Sequence, residues 1–128
     1  MEERKKTLLI VDDDIFLVDI MAFTLKQSGF EIIKAHNGQE AIDIINKEHI
    51  DLVLTDIMMP VMDGFELAAN LRKNEATKSI PIIFLTAKSN VEDKNKGYNI
   101  GINDYVVKPF NLKDLVSRIN KALTIEAK

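Results

Sequence analysis

The sequence predicts a single α/β domain built on a five-stranded parallel sheet with helices on both faces. Short runs rich in β-branched residues alternate with segments of helical spacing along the whole chain. Three of these runs are apolar without interruption, as strands covered on both faces are. The length of 128 residues suits one domain and leaves little room for a second.

The composition excludes several classes of protein. The apolar content of 46% is typical of a folded globular chain, and a net charge of −3 argues against direct nucleic-acid binding through a basic face. The absence of cysteine excludes disulfides, thiol catalysis and cysteine-ligated zinc. No stretch approaches the roughly 18 apolar residues of a membrane span. We therefore expect a cytoplasmic protein with no membrane partner.

Five strands are predicted in chain order, each a short run in which β-branched residues are frequent. They are Thr7–Val11, Phe30–Ala35, Leu52–Thr55, Ile82–Thr86 and Asp104–Val107. Because helical segments separate the strands, we expect crossover connections that leave all the strands parallel.

The helices are indicated by apolar residues three or four positions apart and by capping patterns at their starts. The spacing is clearest in three sets: Leu17, Met21 and Leu25; Gly64, Leu67, Ala68 and Leu71; and Leu112, Leu115, Val116, Ile119, Ala122 and Leu123. Four helix starts pair a capping residue with an acid three positions on: Asn37 with Glu40, Asp63 with Glu66, Ser89 with Glu92, and Asn111 with Asp114. Gly29 and Gly101 follow helical segments, where a left-handed residue is expected.

The fourth helix, about Asn90 to Tyr98, differs from the others. It is short, mostly polar and contains Gly97. We expect Val91 and Tyr98 to be its main apolar anchors. With so few anchors the helix should be weakly held and able to move.

Polar residues follow the predicted strands at their carboxyl ends, where open parallel sheets bind ligands. Asp12 and Asp13 follow the first strand and Asp56 follows the third, while Thr86 ends the fourth and Lys108 follows the fifth. In a sheet of order 2-1-3-4-5, strands one and three are neighbours. The three carboxylates would then converge, with the hydroxyl and the ammonium group beside them.

Such a cluster of carboxylates repels itself unless a cation lies within it. Ligands that are all oxygen favour a hard ion, Mg²⁺ above all. A divalent ion, a lysine, a hydroxyl and a free carboxylate together suit phosphoryl transfer to that carboxylate.

Four stretches extend this pattern to a known family. In order, "LLIVDDD", "VLTDIMMPVMDGFEL", "PIIFLTA" and "GINDYVVKPF" resemble the successive motifs of the response-regulator receiver domain. The resemblance covers nearly the whole chain. It implies one receiver domain over residues 1–128 with the CheY-like, doubly wound fold and strand order 2-1-3-4-5. Residues 1–6 would form a loosely ordered N-terminus.

The resemblance implies a role for each pocket residue. Asp56 would accept a phosphoryl group from a phosphohistidine on a sensor histidine kinase or a histidine phosphotransfer protein. Asp13, Asp56 and the backbone carbonyl of Met58 would bind Mg²⁺ or, in its place, Mn²⁺, and Asp12 would contribute through water. The domain would be an enzyme only in promoting its own phosphorylation and dephosphorylation.

The resemblance also implies how the signal leaves the pocket. Lys108 would pair with Asp56 and then with the phosphoryl group. Thr86 would move to bond a phosphoryl oxygen, and Tyr105 would turn inward as it does. The peptide between Lys108 and Pro109 is expected to be cis. Pro60 and Gly64 match the family's loop after the phosphoacceptor. The face of helix four, strand five and helix five would carry the output.

Two groups of charges lie outside the pocket. Asp14 is expected to be an acid of the first helical turn, favoured there by the helix dipole. Lys94, Asp104, Asp114 and Arg118 match charges that cross a two-fold dimer face in receivers attached to winged-helix DNA-binding domains. The pairs would be Lys94 with Asp114 and Asp104 with Arg118. Alternatively, Asp114 is only a helix cap, so dimerisation on phosphorylation stays open.

Three other functions remain as alternatives. The chain could be a receiver-fold binding module that is not phosphorylated in the cell. It could be a Mg²⁺-dependent phosphohydrolase of the haloacid-dehalogenase type, since Asp12 and Asp14 have the right spacing, but Phe16 stands where Thr or Val is usual. A flavin-binding domain would need a phosphate loop where these acids repel phosphate. The sequence leaves open whether the receiver stands alone or belongs to a longer regulator, and which kinase and target it serves.

Overall fold

The computed structural model describes residues 4–126, and within them five strands alternate with five helices. The strands are β1 (Thr7–Val11), β2 (Glu31–Ala35), β3 (Leu52–Thr55), β4 (Ile82–Thr86) and β5 (Asp104–Val107). The helices are α1 (Ile15–Gln27), α2 (Gly38–Ile45), α3 (Gly64–Lys73), α4 (Val91–Ile100) and α5 (Leu112–Glu126). Residues 1–3 of the N-terminus lie outside the described residues, and residues 4–6 are exposed and precede β1.

The sheet is parallel throughout, in the order β2-β1-β3-β4-β5, which confirms the predicted fold. Its register decides what meets at the carboxyl edge. Val11 lies opposite both Ala35 and Thr55, so β1 ends level with its two neighbours. The amide of Asp12 then donates to the carbonyl of Ala35, and that of Asp56 to the carbonyl of Val11. Both acids therefore leave the sheet side by side.

The core consists of two apolar layers, one on each face of the sheet. Helices α1 and α5 cover one face, and α2, α3 and the segment around Ile102 cover the other. Every residue of β3 and β4 is buried. This explains why those two strands are apolar without interruption.

Most predicted helix ends are confirmed. Asn37, Asp63 and Asn111 each accept a hydrogen bond from the amide three residues on, and Glu66 completes a capping box with Asp63. Gly29 and Gly101 have φ of 102° and 117°, in the left-handed region.

Two predicted boundaries are wrong by one residue. Asn90, not Ser89, caps α4, because its side chain both accepts from the amide of Asp93 and donates to the carboxylate of Asp93. Phe30 precedes β2 because its amide donates to the carbonyl of Leu25 and closes the turn after α1.

Helix α4 is held differently from the prediction. It spans Val91–Ile100, and the two expected anchors are on its surface, with Val91 69% and Tyr98 48% exposed. Only Gly97 is buried, and a Cβ there would come within 2.7 Å of Ile102 and 3.1 Å of Phe84. Helix α4 is therefore anchored by close packing of the Gly97 backbone against Ile102 and Phe84, and not by apolar side chains of its own.

Two lysines of α4 add contacts with aromatic rings of α3 and β5. The Nζ of Lys96 lies 4.3 Å from the centre of the Phe65 ring, and that of Lys94 lies 5.9 Å from the centre of the Tyr105 ring. Such cation–π contacts contribute about 0.5–1 kcal/mol each at exposed sites. The anchors expected for α4 are therefore wrong. That the helix is weakly held stays a prediction, for which its single buried residue is the reason.

Helix α1 is apolar on both sides. Its inner side is buried in the core, and its outer side exposes four large apolar residues, with Phe16 82% exposed. These are Ile15, Phe16, Ile20 and Phe23, which we call the α1 outer face. Among residues 4–126 no helix combines the length and the apolar character that crossing a membrane requires.

Candidate functional site

A buried acid and a lysine form the centre of the candidate site. Lys108 follows β5, and its backbone amide donates to the carbonyl of Thr86 at the end of β4. Its Nζ lies 2.9 Å from Oδ2 of Asp12 and 3.4 Å from Oδ2 of Asp56. One ammonium group therefore bridges the ends of β1 and β3. The Lys108–Pro109 peptide is cis, as the family resemblance implied.

The charges of this bridge shift two pKa values. Burial raises the pKa of Asp12, and hydrogen bonds from the amide of Asp14 and from Lys108 offset only part of that rise. Burial alone would lower the pKa of Lys108, but its contacts with Asp12 and Asp56 raise it above the ordinary value. The pKa shift of Lys108 thus favours its charged form, whereas the burial of Asp12 opposes its negative charge.

The Asp56 carboxylate is fixed on both sides. Its Oδ2 faces Lys108, and its Oδ1 accepts a hydrogen bond of 2.6 Å from the amide of Ile57. The amide of Gly64, at the start of α3, donates to the carbonyl of Ile57. A Cβ at Gly64 would collide with the carbonyl oxygen of Asp56, so only glycine lets α3 begin this close to the acid.

Thr86 and Tyr105 are both buried and share one neighbour. The hydroxyl oxygen of Thr86 accepts from the amide of Lys88 at 3.3 Å, and the hydroxyl of Tyr105 donates to the carbonyl of Lys88 at 2.8 Å. Burial raises the pKa of Tyr105, so it remains a hydrogen-bond donor at neutral pH. The ring is therefore already turned inward, and Thr86 and Tyr105 hold the same peptide segment between β4 and α4.

The predicted metal ligands are only partly grouped. Asp12 and Asp56 approach the same ammonium group, whereas Asp13 is exposed. Across the part of the chain that the structure describes, no three acidic or histidine side chains form a metal-binding group. The proposed direct ligands are two carboxylates and the Met58 carbonyl. These oxygens suit a hard divalent ion at an edge where carboxylates outnumber the lysine.

The other predicted charges lie away from this pocket. Asp14 caps α1 by accepting from the amide of Leu17, so it sits just before the helix and outside the site. Arg118 contacts Asp104 at 2.7 Å and Asp114 at 2.9 Å within the same chain. Lys94 lies over Tyr105. Three of the charges proposed for a dimer face are thus in contact within one chain, because Arg118 binds both Asp104 and Asp114.

Two features beside the pocket were missed by sequence reasoning. Val61 has φ of 71°, and the amide of Met62 donates to the carbonyl of Pro60 at 2.7 Å, so Val61 is the central residue of a γ-turn. Valine is among the residues least suited to positive φ, so no sequence signal marks this turn. Thr55 is a buried polar residue immediately before Asp56. Its threonine hydroxyl was the available signal, but threonine is also an ordinary strand residue.

The fold and the pocket together define a doubly wound α/β domain with charged groups at the switch point of its sheet. Residues 8–120 match the family model described as the response regulator receiver domain. The chain belongs to this receiver family of two-component signalling.

Its relatives include longer regulators. The probable transcriptional regulator ycf27 of Cyanophora paradoxa is 44% identical over 123 residues, covering 96% of this chain and 50% of that protein. The phosphate regulon regulator PhoB of Pseudomonas aeruginosa is 42% identical over 118 residues, covering 92% of this chain and 52% of that protein. The chain thus spans about half the length of these relatives.

Solved receivers have the same fold. The chemotaxis response regulator CheY4 of Vibrio cholerae superposes with a TM-score of 0.86 at 33% identity, covering 93% of this chain and 99% of that one. A CheY-like receiver domain protein from Methanospirillum hungatei gives a TM-score of 0.90 at 31% identity, covering 97% and 98%. Both matches cover more than nine tenths of this chain rather than a single motif.

Proposed function

We propose that this domain is a phosphorylation-activated switch in which Asp56 accepts a phosphoryl group from a phosphohistidine of a sensor kinase or phosphotransfer protein. The observation that supports it best is the Lys108 bridge. A partly buried lysine within 3.4 Å of a carboxylate at the sheet edge provides a positive charge where phosphoryl oxygens would lie. Membership of the receiver family agrees with this role.

In the proposed reaction the Asp56 carboxylate attacks phosphorus. The bond between phosphorus and the histidine nitrogen breaks, and its electron pair stays on the imidazole. Lys108 then exchanges its contact with Asp56 for one with a phosphoryl oxygen, while Asp12 keeps the ammonium in place. The Thr86 hydroxyl, at the end of β4, would move to donate to a second oxygen. Asp13, Asp56 and the Met58 carbonyl would hold Mg²⁺, with Asp12 acting through water. The bound ion would neutralise phosphoryl charge.

Phosphorylation would change the output surface through Lys88, whose backbone is hydrogen-bonded to both Thr86 and Tyr105. A change in the Thr86 hydrogen bond acts on Lys88, whose carbonyl binds Tyr105, and Lys88 stands just before α4. Because Gly97 is the only buried residue of α4, this helix can shift at small cost. We expect the surface of α4, β5 and α5 to change and to control a partner or an attached effector.

A homodimer through this surface is a second part of the proposal. Arg118 would exchange its contacts within the chain for Asp104 of a second copy, and Lys94 would leave Tyr105 for Asp114 of that copy. Relatives twice as long are transcriptional regulators, so an attached DNA-binding effector is consistent with the proposal. We expect a cytoplasmic location and no turnover of any separate substrate.

The test is the intact mass of the protein after incubation with acetyl phosphate, with and without Mg²⁺. We expect one phosphoryl adduct that requires the ion and is absent from Asp56→Asn. The matched control is Asp14→Asn, which changes a neighbouring acid outside the pocket and should keep the adduct. An adduct of equal yield in Asp56→Asn contradicts the assignment. No adduct in the parent would instead favour a receiver-fold binding module with a silent pocket.

A further inference from the structure

One buried polar side chain near the pocket has no part in the proposed reaction. Within residues 4–126 the buried polar or charged residues are Asp12, Thr55, Thr77 and Thr86. Asp12 and Thr86 belong to the pocket. The hydroxyl of Thr77 donates to the carbonyl of Leu71 at 2.7 Å and closes the end of α3. Thr55 is the one of these four residues that has no role assigned so far. Burying its hydroxyl costs free energy unless the hydroxyl makes a hydrogen bond.

The hydrogen bond of Thr55 is made to the proposed phosphoacceptor. Thr55 is the last residue of β3 and is 1% exposed. Its Oγ1 donates to the backbone carbonyl of Asp56 at 2.9 Å, and the thioether sulfur of Met59 lies 3.8 Å away. A hydroxyl and a methyl group have similar volumes, so filling space does not explain why a polar group stands 2.9 Å from this carbonyl oxygen.

The Thr55 hydrogen bond affects the Asp56 side chain through one planar peptide group. The carbonyl of Asp56 and the amide of Ile57 belong to the same peptide group, in which they point in opposite directions. Holding the carbonyl therefore also directs the amide. That amide makes the 2.6 Å bond to Oδ1 of Asp56. Gly64 lies against the carbonyl from α3, which leaves the peptide little room to rotate.

We propose that Thr55 is a positioning residue for phosphoryl transfer to Asp56. Its hydroxyl orients the peptide between Asp56 and Ile57, and this peptide holds Oδ1 so that Oδ2 faces Lys108. The inference rests on the proposed role of Asp56 and adds a residue to it. Thr55→Val removes the bond and places a methyl group about where Oγ1 stands, too close to the carbonyl oxygen for an undisturbed fit.

The kinetic experiment compares three variants with the parent in saturating Mg²⁺ as the concentration of acetyl phosphate is varied. For Thr55→Val we expect the maximal phosphorylation rate to fall about three- to tenfold, the range that loss of one hydrogen bond in a positioned site allows. The half-saturating donor concentration should not change, because Lys108 and Thr86 are intact. Thr55→Ser keeps the hydroxyl and should restore the rate.

The matched control is Thr77→Val, which removes another buried threonine hydroxyl far from the pocket. It should lose stability, measured by urea unfolding, yet phosphorylate at the parent rate. Equal maximal rates for Thr55→Val and the parent overturn the proposal. So does a Thr55→Ser variant as slow as Thr55→Val, or an equal loss of rate in Thr77→Val.

A second measurement needs no phosphoryl donor. The amide proton of Ile57 should resonate far downfield in the parent, because its bond to a carboxylate is short. We expect an upfield shift in Thr55→Val and none in Thr55→Ser. An unchanged Ile57 resonance in Thr55→Val overturns the inference. A parent that accepts no phosphoryl group contradicts the proposed function instead, and the Ile57 resonance still decides the role of Thr55.

Discussion

Asp12 and Asp56 place two negative charges beside a single lysine at the end of the sheet. Burial raises the pKa of Asp12, and the charge of Asp56 adds to that rise although Lys108 opposes it. An acid with a raised pKa in the folded state stabilises the fold most at low pH. This contribution is lost as the pH rises through the raised value. At neutral pH the repulsion between the carboxylates of Asp12 and Asp56 therefore lowers the stability of the folded state.

We expect Asp56→Asn to be more stable than the parent at neutral pH without Mg²⁺, by about 1 kcal/mol. An asparagine oxygen can keep the bond from Ile57, and Lys108 keeps Asp12. The gain should shrink as the pH falls through the raised pKa of Asp12, because a protonated Asp12 no longer repels the Asp56 carboxylate. Urea unfolding at a series of pH values measures both effects.

The matched control for this variant is Asp43→Asn, the same change at an exposed position of α2. We expect it to alter the unfolding free energy by at most about 0.5 kcal/mol at any pH. A loss of stability in Asp56→Asn at neutral pH would show that its carboxylate contributes more to binding Lys108 than it costs in repulsion.

Val61 carries backbone strain on the surface. It is 79% exposed at φ of 71°, so its side chain gains little from packing to offset an unfavourable conformation. Asparagine tolerates this region better. We expect Val61→Asn to raise the unfolding free energy by about 1 kcal/mol, measured by urea denaturation.

The control for Val61 is Val91→Asn, which replaces an exposed valine in the first turn of α4. There the backbone is helical, so the same substitution should give no gain. Equal effects at both positions would mean that side-chain polarity, and not the γ-turn, accounts for the change.

At the scale of the element, α4 depends on a glycine more than on any side chain. Alanine is the better helix former by about 1 kcal/mol. At Gly97, however, its Cβ would press on Ile102 and on the buried ring of Phe84. We expect Gly97→Ala to lower the unfolding free energy by about 1 kcal/mol and to speed amide hydrogen exchange in α4.

Asn95→Ala separates propensity from packing in the same helix. Asn95 is exposed, so alanine there should stabilise by a few tenths of a kcal/mol, roughly its advantage in helix propensity. A stabilised Gly97→Ala variant with slower exchange in α4 would contradict close packing at Gly97.

The sequence predicted elements well where one physical signal dominates. Buried β3 and β4 are continuous apolar runs, and their bounds were predicted without error. The anchors of α4 were predicted wrongly because hydrophobicity patterns count apolar side chains. The close approach of Gly97 to Phe84 and the lysine–ring contacts have no such pattern. They depend on where other elements place their rings.

At the scale of the whole molecule, the site depends on distances that no local pattern contains. The acids can be placed at strand ends from the sequence, but the meeting of Asp12 with Lys108 joins residues 96 positions apart. Strand order was needed to predict it, and that order came with the family resemblance. Neither the local sequence pattern nor the strand order predicts the peptide orientation that we assign to Thr55, because that orientation follows from atomic contacts with Asp56.

The α1 outer face also affects how the isolated domain behaves in solution. This exposed apolar surface, formed by Ile15, Phe16, Ile20 and Phe23, can associate with other copies of the domain. A net charge of only −3 provides weak electrostatic repulsion between copies at neutral pH. Near the isoelectric point of about 5.4 that repulsion vanishes. Light scattering should therefore show self-association that grows towards this pH and weakens in Phe16→Ser. Colloidal stability of the domain would then be limited by one helix face rather than by its fold.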